Sequence, residues 1–407
     1  MLVKSSRVKK MHIVLLSHEY PPVIYGGVAT FVENLARCLQ RRGIKVTVIA
    51  GYPVPNDCFG EFDFDGCGKQ KGIDIVRLPY LNFPPRQIWF QVMNFKKISQ
   101  IIRSLNVDII HGQSGVAFPA IINLKKLAAT IVSFHNDPKS QLILSFNALA
   151  RGGSFADFRT YALGYPVHAY SFKKEFEMSD AAVAVSETLM NKLNSEMGKK
   201  KRGETLFIHN GVDVEKLDKD YNNLESCYEE SDRTILFAGR LFWGKGVLRL
   251  VEVAYFLKKE MPDFKIIVNG KGPMYGKMVA KIKELGLTNV ELNGFADRKQ
   301  MMRSLRQSSF VIIPSYYESC PMVLLEGMCL GKIPLMFGCD YSYEFTENGI
   351  YALIAKSPQE LVSRLKKLYK GVSIKGMGDE VRSFARSKYD IRDTTLKYIK
   401  LYKEICS

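Results

Sequence analysis

The chain has 407 residues, 46% of them hydrophobic and 24% charged, with a formal net charge of +17. That length carries two domains, each able to bury its own core, and the balance excludes a disordered or fibrous chain. The positive excess calls for an anionic partner, either a phosphate-bearing ligand or an anionic membrane surface; it is spread over both halves, and nucleic acid is not an expected partner.

In chain order, "HIVLLS" reads as a first buried strand, followed by the loop "HEYPPVIYGG". Val28, Phe31, Val32, Leu35, Ala36 and Leu39 then recur at helical spacing up to a stop at Gly43. "KVTVIAG" is the next strand, and a strand–helix–strand unit implies a right-handed crossover and parallel pairing. The alternation continues with the strand "DIIHGQ", the helix "FPAIINLKKLA" and the strands "TIVSFH" and "AAVAVSE", until "LFIHNGVD" closes the first half. The acidic, Asn-rich stretch "DVEKLDKDYNNLESCYEESD" reads as a linker. A second series runs from "TILFAGR" through the helix "VLRLVEVAYFLKKE", "FKIIVNG", "KMVAKIKELG", "VELNGF", "RKQMMRSLRQS" and "FVIIPS" to a helix after Pro321 and "KIPLMFG". The expected fold is α/β, with two doubly wound Rossmann-like domains over residues 11–213 and 214–385. Residues 386–407 are expected to be a terminal helix packing back toward the first domain.

The eight cysteines form no CxxC pair and no Cys/His spacing suited to zinc, so a reducing compartment and no metal site are expected. No run of about 18 apolar residues predicts a membrane span, and the N-terminal tail "MLVKSSRVKK" lacks the apolar stretch of a signal peptide. A cytoplasmic protein, peripheral at most at the inner face of a membrane, is the expectation. The stretch from Phe146 to Lys174 supports the peripheral reading. It interleaves Phe146, Phe155, Phe158, Tyr161, Tyr165, Tyr170 and Phe172 with Arg151, Arg159, Lys173 and Lys174.

In open parallel sheets, ligands bind beyond the carboxyl ends of the strands. The residues there are Gly26 and Gly27, His135, Arg240, Asn269 and Gly270, and Ser315 to Glu318, drawn from both halves. The expected site is therefore a cleft between the two domains. "GRLFWGKG" nearly matches the phosphate loop GxxxxGK[ST], but Gly246 replaces the hydroxyl residue that would hold Mg²⁺. Arg240 and Lys245 can instead clamp a diphosphate directly, Arg as a fork and Lys as a point charge. GxGxxG is absent from "IYGGV", which argues against a dinucleotide enzyme. In "YYESCPMVLLEGMCLGKIP", Ser319 or Cys320 can cap a helix with Pro321 in its first position. Glu318 then lies in the loop and Glu326 over one turn into the helix, two carboxylate acceptors for hydroxyls beside an anion-favouring helix N-terminus. A nucleotide sugar has that layout, a diphosphate between two hydroxyl-bearing rings.

Together these pieces resemble the GT-B retaining glycosyltransferases of the family 4 type. The resemblance runs from about Met11 to the terminal helix, through "YPPVIYGGVATFVENLARCLQRRG", "SFHND", "HNGVD", "GRLFWGKG", "NGKGP" and the E-x7-E pair. It implies a second domain that holds the nucleotide-sugar donor and a first that holds a glycan, lipid-linked or small-molecule acceptor. Arg240 and Lys245 would hold the diphosphate, Glu326 the ribose and Glu318 the transferred sugar. Gly27 would offer its backbone near the donor, His135 would lie beside the sugar, and Gly270 would line the donor site. Transfer with retention and without a metal is implied. Ser319, Gly327 and Lys271 depart from residues common in the family and bear on the donor's identity. A nucleotide-sugar epimerase or a non-catalytic nucleotide-sugar-binding protein on the same fold is the alternative.

Overall fold

The computed structural model describes residues 11–54, 67–70, 72–83, 85–124, 126–153, 155–162, 164–198, 200, 203–224 and 231–407. The basic N-terminal tail, Lys199, Lys201 and Arg202 of the run "GKKKRG", the side chain of Tyr161 and residues 225–230 of the linker lie outside them.

Two runs of Val-, Ile- and Leu-rich strands, each bounded by glycine or polar residues, build two sheets. The first run contains β1 (His12–Ser17), α1 (Gly27–Arg41), β2 (Lys45–Val54), β3 (Cys67–Gln70), β4 (Ile73–Leu81) and α2 (Arg86–Ser104). It continues with β5 (Ile109–Gln113), α3 (Phe118–Leu124), β6 (Ala129–Phe134), α4 (Pro138–Ala150), α5 (Phe155–Ala162), α6 (Tyr165–Met178), β7 (Ala181–Ala184), α7 (Glu187–Met197) and β8 (Glu204–Phe207). The spatial order is β3-β4-β2-β1-β5-β6-β7-β8, parallel apart from the β3–β4 pair. Its central strands are buried throughout, as a sheet covered by helices on both faces requires.

The second run begins with α8 (Val214–Asn222), β9 (Ser231–Ala238), α9 (Val247–Glu260), β10 (Lys265–Asn269), α10 (Tyr275–Glu284), β11 (Val290–Gly294) and α11 (Arg298–Gln307). It ends with β12 (Ser308–Ile313), α12 (Met322–Cys329), β13 (Ile333–Phe337), α13 (Asp340–Phe345), β14 (Leu353–Ala355), α14 (Pro358–Gly371), α15 (Ile374–Tyr389) and α16 (Ile391–Cys406). Its strands, in the order β11-β10-β9-β12-β13-β14, form a parallel sheet.

Two local expectations need correction. The stretch read as a linker opens as helix α8, because Asp213 accepts a hydrogen bond from the Lys216 N–H and Val214 and Leu217 are buried. Pro321 is the N-cap of α12 rather than its first residue, and no side chain caps that helix.

The chain returns to its first sheet at the end. The Val212 N–H donates to Tyr389 O at 2.8 Å and the Ile391 N–H to Val212 O at 2.9 Å. Helix α16 then buries Tyr398, Leu401 and Tyr402 among Phe31, Leu35 and their neighbours. The hydroxyl of Tyr402 lies 2.7 Å from His111 Nδ1, and that of Tyr398 lies 2.9 Å from Ser133 Oγ, so the buried phenols find partners. No helix of the described residues is long and apolar enough to cross a membrane.

Candidate active site

Both sheets point the carboxyl ends of their strands at one cleft, which holds a cavity of about 580 Å³. The strand order reverses around β1 in the first sheet and around β9 in the second. Loops that leave a parallel sheet in opposite directions open a crevice at such points. His135, Gly27, Arg240, Lys245 and Glu318 all line this cavity. Gly270 and Glu326 are not among its lining residues.

The loop after β9 is fixed from below. Trp243 stacks on Tyr316 with ring centroids 4.3 Å apart and planes 12° from parallel. Arg249 lies against the other rings of this layer, 4.1 Å from the Tyr316 centroid and 4.4 Å from that of Phe337. The Tyr316 N–H donates to Gly244 O at 2.9 Å. These contacts tie the loop of Lys245 to the loop of Glu318. Gly246 closes the first loop at φ +68°, and a Cβ there would lie 2.0 Å from Pro314 O. A Ser or Thr in that position, as a phosphate loop demands, has no room and an unfavourable backbone. Gly270 meets a similar limit, since a Cβ would fall 2.0 Å from Gly239 O. It lets the ends of β9 and β10 approach, and so supports Arg240 from behind.

Glu318 forms an ion pair with Lys245 and accepts from Ser315 Oγ at 2.8 Å. Glu326 is buried in α12, where it accepts from Arg298 Nη1 at 2.7 Å. The same guanidinium donates from Nε to Asp220 at 3.0 Å.

The first domain faces these groups with His135, which packs edge-on against Phe31 at 5.4 Å. Its Nε2 lies 2.6 Å from Gln113 Oε1, and burial pushes its pKa down to about 3, so the imidazole is neutral at ordinary pH. The Tyr317 hydroxyl reaches across the cleft and donates to Asp137 Oδ2 at 2.8 Å; Lys192 Nζ, from α7 of the first domain, lies 3.1 Å from the same oxygen. The start of α1 meets α12, where a Cβ on Gly27 would come within 2.8 Å of Met322 Cγ.

Several lining residues were not singled out as site residues from the sequence: His18, Glu19, Arg86 and His168. His18 and Glu19 directly follow β1, so the strand-end rule could have found them. Arg86 begins α2 and His168 lies in the first turn of α6, both after irregular connections, and no spacing marks them. Among the described residues, no group of three or more His, Cys, Asp and Glu side chains is placed to hold a metal ion.

Residues 25–216 match the family described as Glycosyltransferase Family 4, and residues 225–375 match Glycosyl transferases group 1. The chain belongs to the GT-B glycosyltransferases of the family 4 type. It is therefore an enzyme of the transferase class. It is 26% identical over 401 residues to an uncharacterized glycosyltransferase of Methanocaldococcus jannaschii, covering 96% of this chain and 98% of that one. It is 23% identical to the glycogen synthase of Mycobacterium tuberculosis H37Rv, over 79% of this chain and 76% of the other. The GT-B fold is also that of the sucrose-phosphate synthase of Thermosynechococcus elongatus. That structure has a TM-score of 0.76 and 17% identity, covering 97% of this chain and 99% of that one. The Anabaena protein HepE, solved in complex with UDP and glucose, has a TM-score of 0.69 and 16% identity over 97% of this chain and 99% of its own.

Proposed function

We propose that this glycosyltransferase moves a sugar from a nucleoside diphosphate sugar to a glycan, lipid-linked or small-molecule acceptor, with retention at the anomeric carbon and without a metal. The observation that carries the reading is the meeting of Arg240, Lys245 and Glu318 at the strand ends of the second sheet, opposite His135 and Gly27, in one cavity. Arg240 and Lys245 hold the diphosphate and stabilise the charge it gains as the bond to the sugar breaks. Glu318 accepts from the transferred sugar's hydroxyls, and Glu326 from the ribose. His135 is a neutral hydrogen-bonding group beside the sugar rather than a second cation. The N-terminus of α1 presents backbone N–H groups at Gly27, with no acidic residue in its first turn.

A peripheral position at the cytoplasmic face of a membrane belongs to this reading, because rings on α4, α5 and α6 stand in solvent. Phe146 is 54%, Phe155 67% and Tyr170 58% exposed. Of the same series, Phe172 is buried, and Phe158 packs on Phe146 at 5.1 Å.

A panel of UDP-, GDP- and ADP-sugars, followed by melting temperature, tests the donor. A ligand bound only by the native state raises that temperature. One base should stabilise strongly and the sugar should add to the shift. No response to any of the three would refute the reading. A donor that is epimerised or merely bound, with no sugar passing to any acceptor, would favour the alternatives.

A further inference from the structure

We infer that the first-domain side of the cleft is built for an acceptor that carries a phosphate or a similar anionic group beside the hydroxyl receiving the sugar. The inference rests on the donor reading above and names the chemistry of the other substrate.

Charge around the cavity is unevenly matched. Its lining acids are Glu19 and Glu318, and its lining Lys and Arg side chains are Arg86, Arg240 and Lys245. Lys245 and Glu318 offset each other. Glu19 turns to the backbone, accepting from the N–H groups of Tyr25 at 2.8 Å and Gly26 at 3.1 Å. Arg240 stands on the second sheet, where the diphosphate is placed. Arg86 is left on the first-domain side with no carboxylate partner among the described residues.

Arg86 is also held ready. Its Nε donates to Asn82 Oδ1 at 3.1 Å, and its guanidinium lies over the Tyr25 ring, 4.5 Å from the centroid. Both contacts fix the plane of the fork and leave its Nη groups for an oxyanion, which such a fork binds through two parallel hydrogen bonds. Arg86 opens α2, and His168 lies in the first turns of α6. Neither helix carries an acid in its first turn, so both N-termini present favourable partial charge at this wall.

An independent observation comes from His18. It is only 7% exposed and lines the cavity, yet its ring makes no hydrogen bond to any described residue. A polar ring in that position takes its hydrogen bonds from whatever fills the cavity, water or a ligand group. Burial first, then the charge of Arg86 and the neighbouring His168 and His135, push His18 down to about 3. Burial lowers His168 to about 4. Both are neutral imidazoles able to donate one N–H each. One oriented cation, neutral N–H donors and helix N-termini make a site for an anion. A wholly neutral sugar would leave Arg86 unmatched.

The test is calorimetric titration of protein saturated with whichever of UDP, GDP and ADP raises its melting temperature, so that the diphosphate site is filled. The probes are glucose, glucose 6-phosphate, inorganic phosphate, and phosphatidylcholine vesicles with and without phosphatidic acid. Glucose 6-phosphate should bind at least about tenfold more tightly than glucose, the scale expected for hydrogen bonds to a charged group. Arg86→Gln should abolish that preference, Arg86→Lys should restore part of it, and the nucleotide melting shift of both variants should stay that of the wild type. Binding that depends on Arg86 but is seen only with phosphatidic acid vesicles supports the inference and assigns the phosphate to a lipid-linked acceptor. Equal binding of glucose and glucose 6-phosphate without such vesicle binding, or a phosphate preference that survives Arg86→Gln, overturns it. A missing nucleotide response refutes the donor reading instead, and the phosphate preference, measured then without nucleotide, still stands or falls on Arg86.

Discussion

Lys245 and Glu318 lie 73 residues apart in the chain and meet as an ion pair at the mouth of the second sheet. A diphosphate placed on Lys245 competes with Glu318 for the same ammonium and releases the carboxylate toward the sugar. Lys245→Ala should therefore lower kcat by on the order of 10²-fold or more, the loss of one preorganised charge at the leaving group. Glu318→Gln should lower turnover too, yet bind the free nucleoside diphosphate a few-fold more tightly, because Lys245 is no longer shared. Steady-state kinetics with the matched donor and titration with the nucleoside diphosphate check both. A Lys245→Ala enzyme at the wild-type rate would remove the diphosphate from this loop.

Glu326 is already engaged by Arg298, which also holds Asp220. In the proposed reading, ribose hydroxyls donate to a carboxylate whose position Arg298 fixes in advance. Glu326→Ala should weaken nucleoside diphosphate binding by roughly 1.5–3 kcal/mol, whereas Glu318→Ala should mainly reduce turnover. Equal losses in both variants against the nucleoside diphosphate would show that the two glutamates do not divide these roles.

In the proposed mechanism the positive charge for the leaving group comes from side chains, Arg240 and Lys245, both of which line the cavity. Activity should survive dialysis against EDTA with kcat within about twofold of the untreated enzyme, a barrier change under about 0.5 kcal/mol. Loss of activity that Mg²⁺ or Mn²⁺ restores would assign the leaving-group charge to a metal.

Glu344 clasps the two domains. From α13 it accepts the N–H groups of Glu187 at 2.7 Å and Thr188 at 3.0 Å, and it pairs with His209 at 2.7 Å. Burial alone would raise its pKa, but the bonds from His209, Thr188 and Glu187 outweigh that and hold the carboxyl below the usual value of 4.5. With the folded value depressed, this contribution is in place above the ordinary carboxylate pKa and is lost as pH falls through the folded one. Glu344→Gln should lower stability at neutral pH by roughly 1–3 kcal/mol. Its melting temperature should then fall less steeply on acidification than the wild type's. Parallel curves would mean that Glu344 is not the titrating clasp.

Membrane contact would use the exposed rings of Phe146 and Phe155 with the nearby exposed Arg151 and Arg159. Lys173 and Lys174 are already paired with Glu177. Flotation should show binding to anionic liposomes at low salt that weakens at high salt. Removing both rings should cost about tenfold or more, given about 1.5–3 kcal/mol for each large side chain that leaves water. Binding to neither liposome would leave these rings as ordinary surface.

The sequence by itself determined the layers of this protein and much of its candidate site. Strand runs such as "FVIIPS" and "FKIIVNG" are apolar through their centres because helices cover both faces of a parallel sheet, so they are legible without a partner in view. His135, Arg240, Lys245 and Glu318 were legible for a related reason: each lies in a loop that leaves the carboxyl end of a strand, and those ends are where parallel sheets bind. Pairings across long sequence distances were left to the tertiary structure. Arg298 reaches Glu326 only once α11 and α12 pack within the second domain, and Tyr317 reaches Asp137 and Glu344 reaches His209 only once the two sheets are docked, since no local periodicity encodes which loop faces which. Gly246 shows both levels at once. The sequence offers a broken phosphate motif there, and only the fold supplies the reason, a left-handed turn pressed against the Pro314 carbonyl where no side chain fits. Arg86 and His18 belong wholly to the second level. A lone Arg and a lone His carry no pattern in the chain, and they acquire a shared chemistry when the first sheet brings the loop after β1 and the start of α2 to one wall of the cleft.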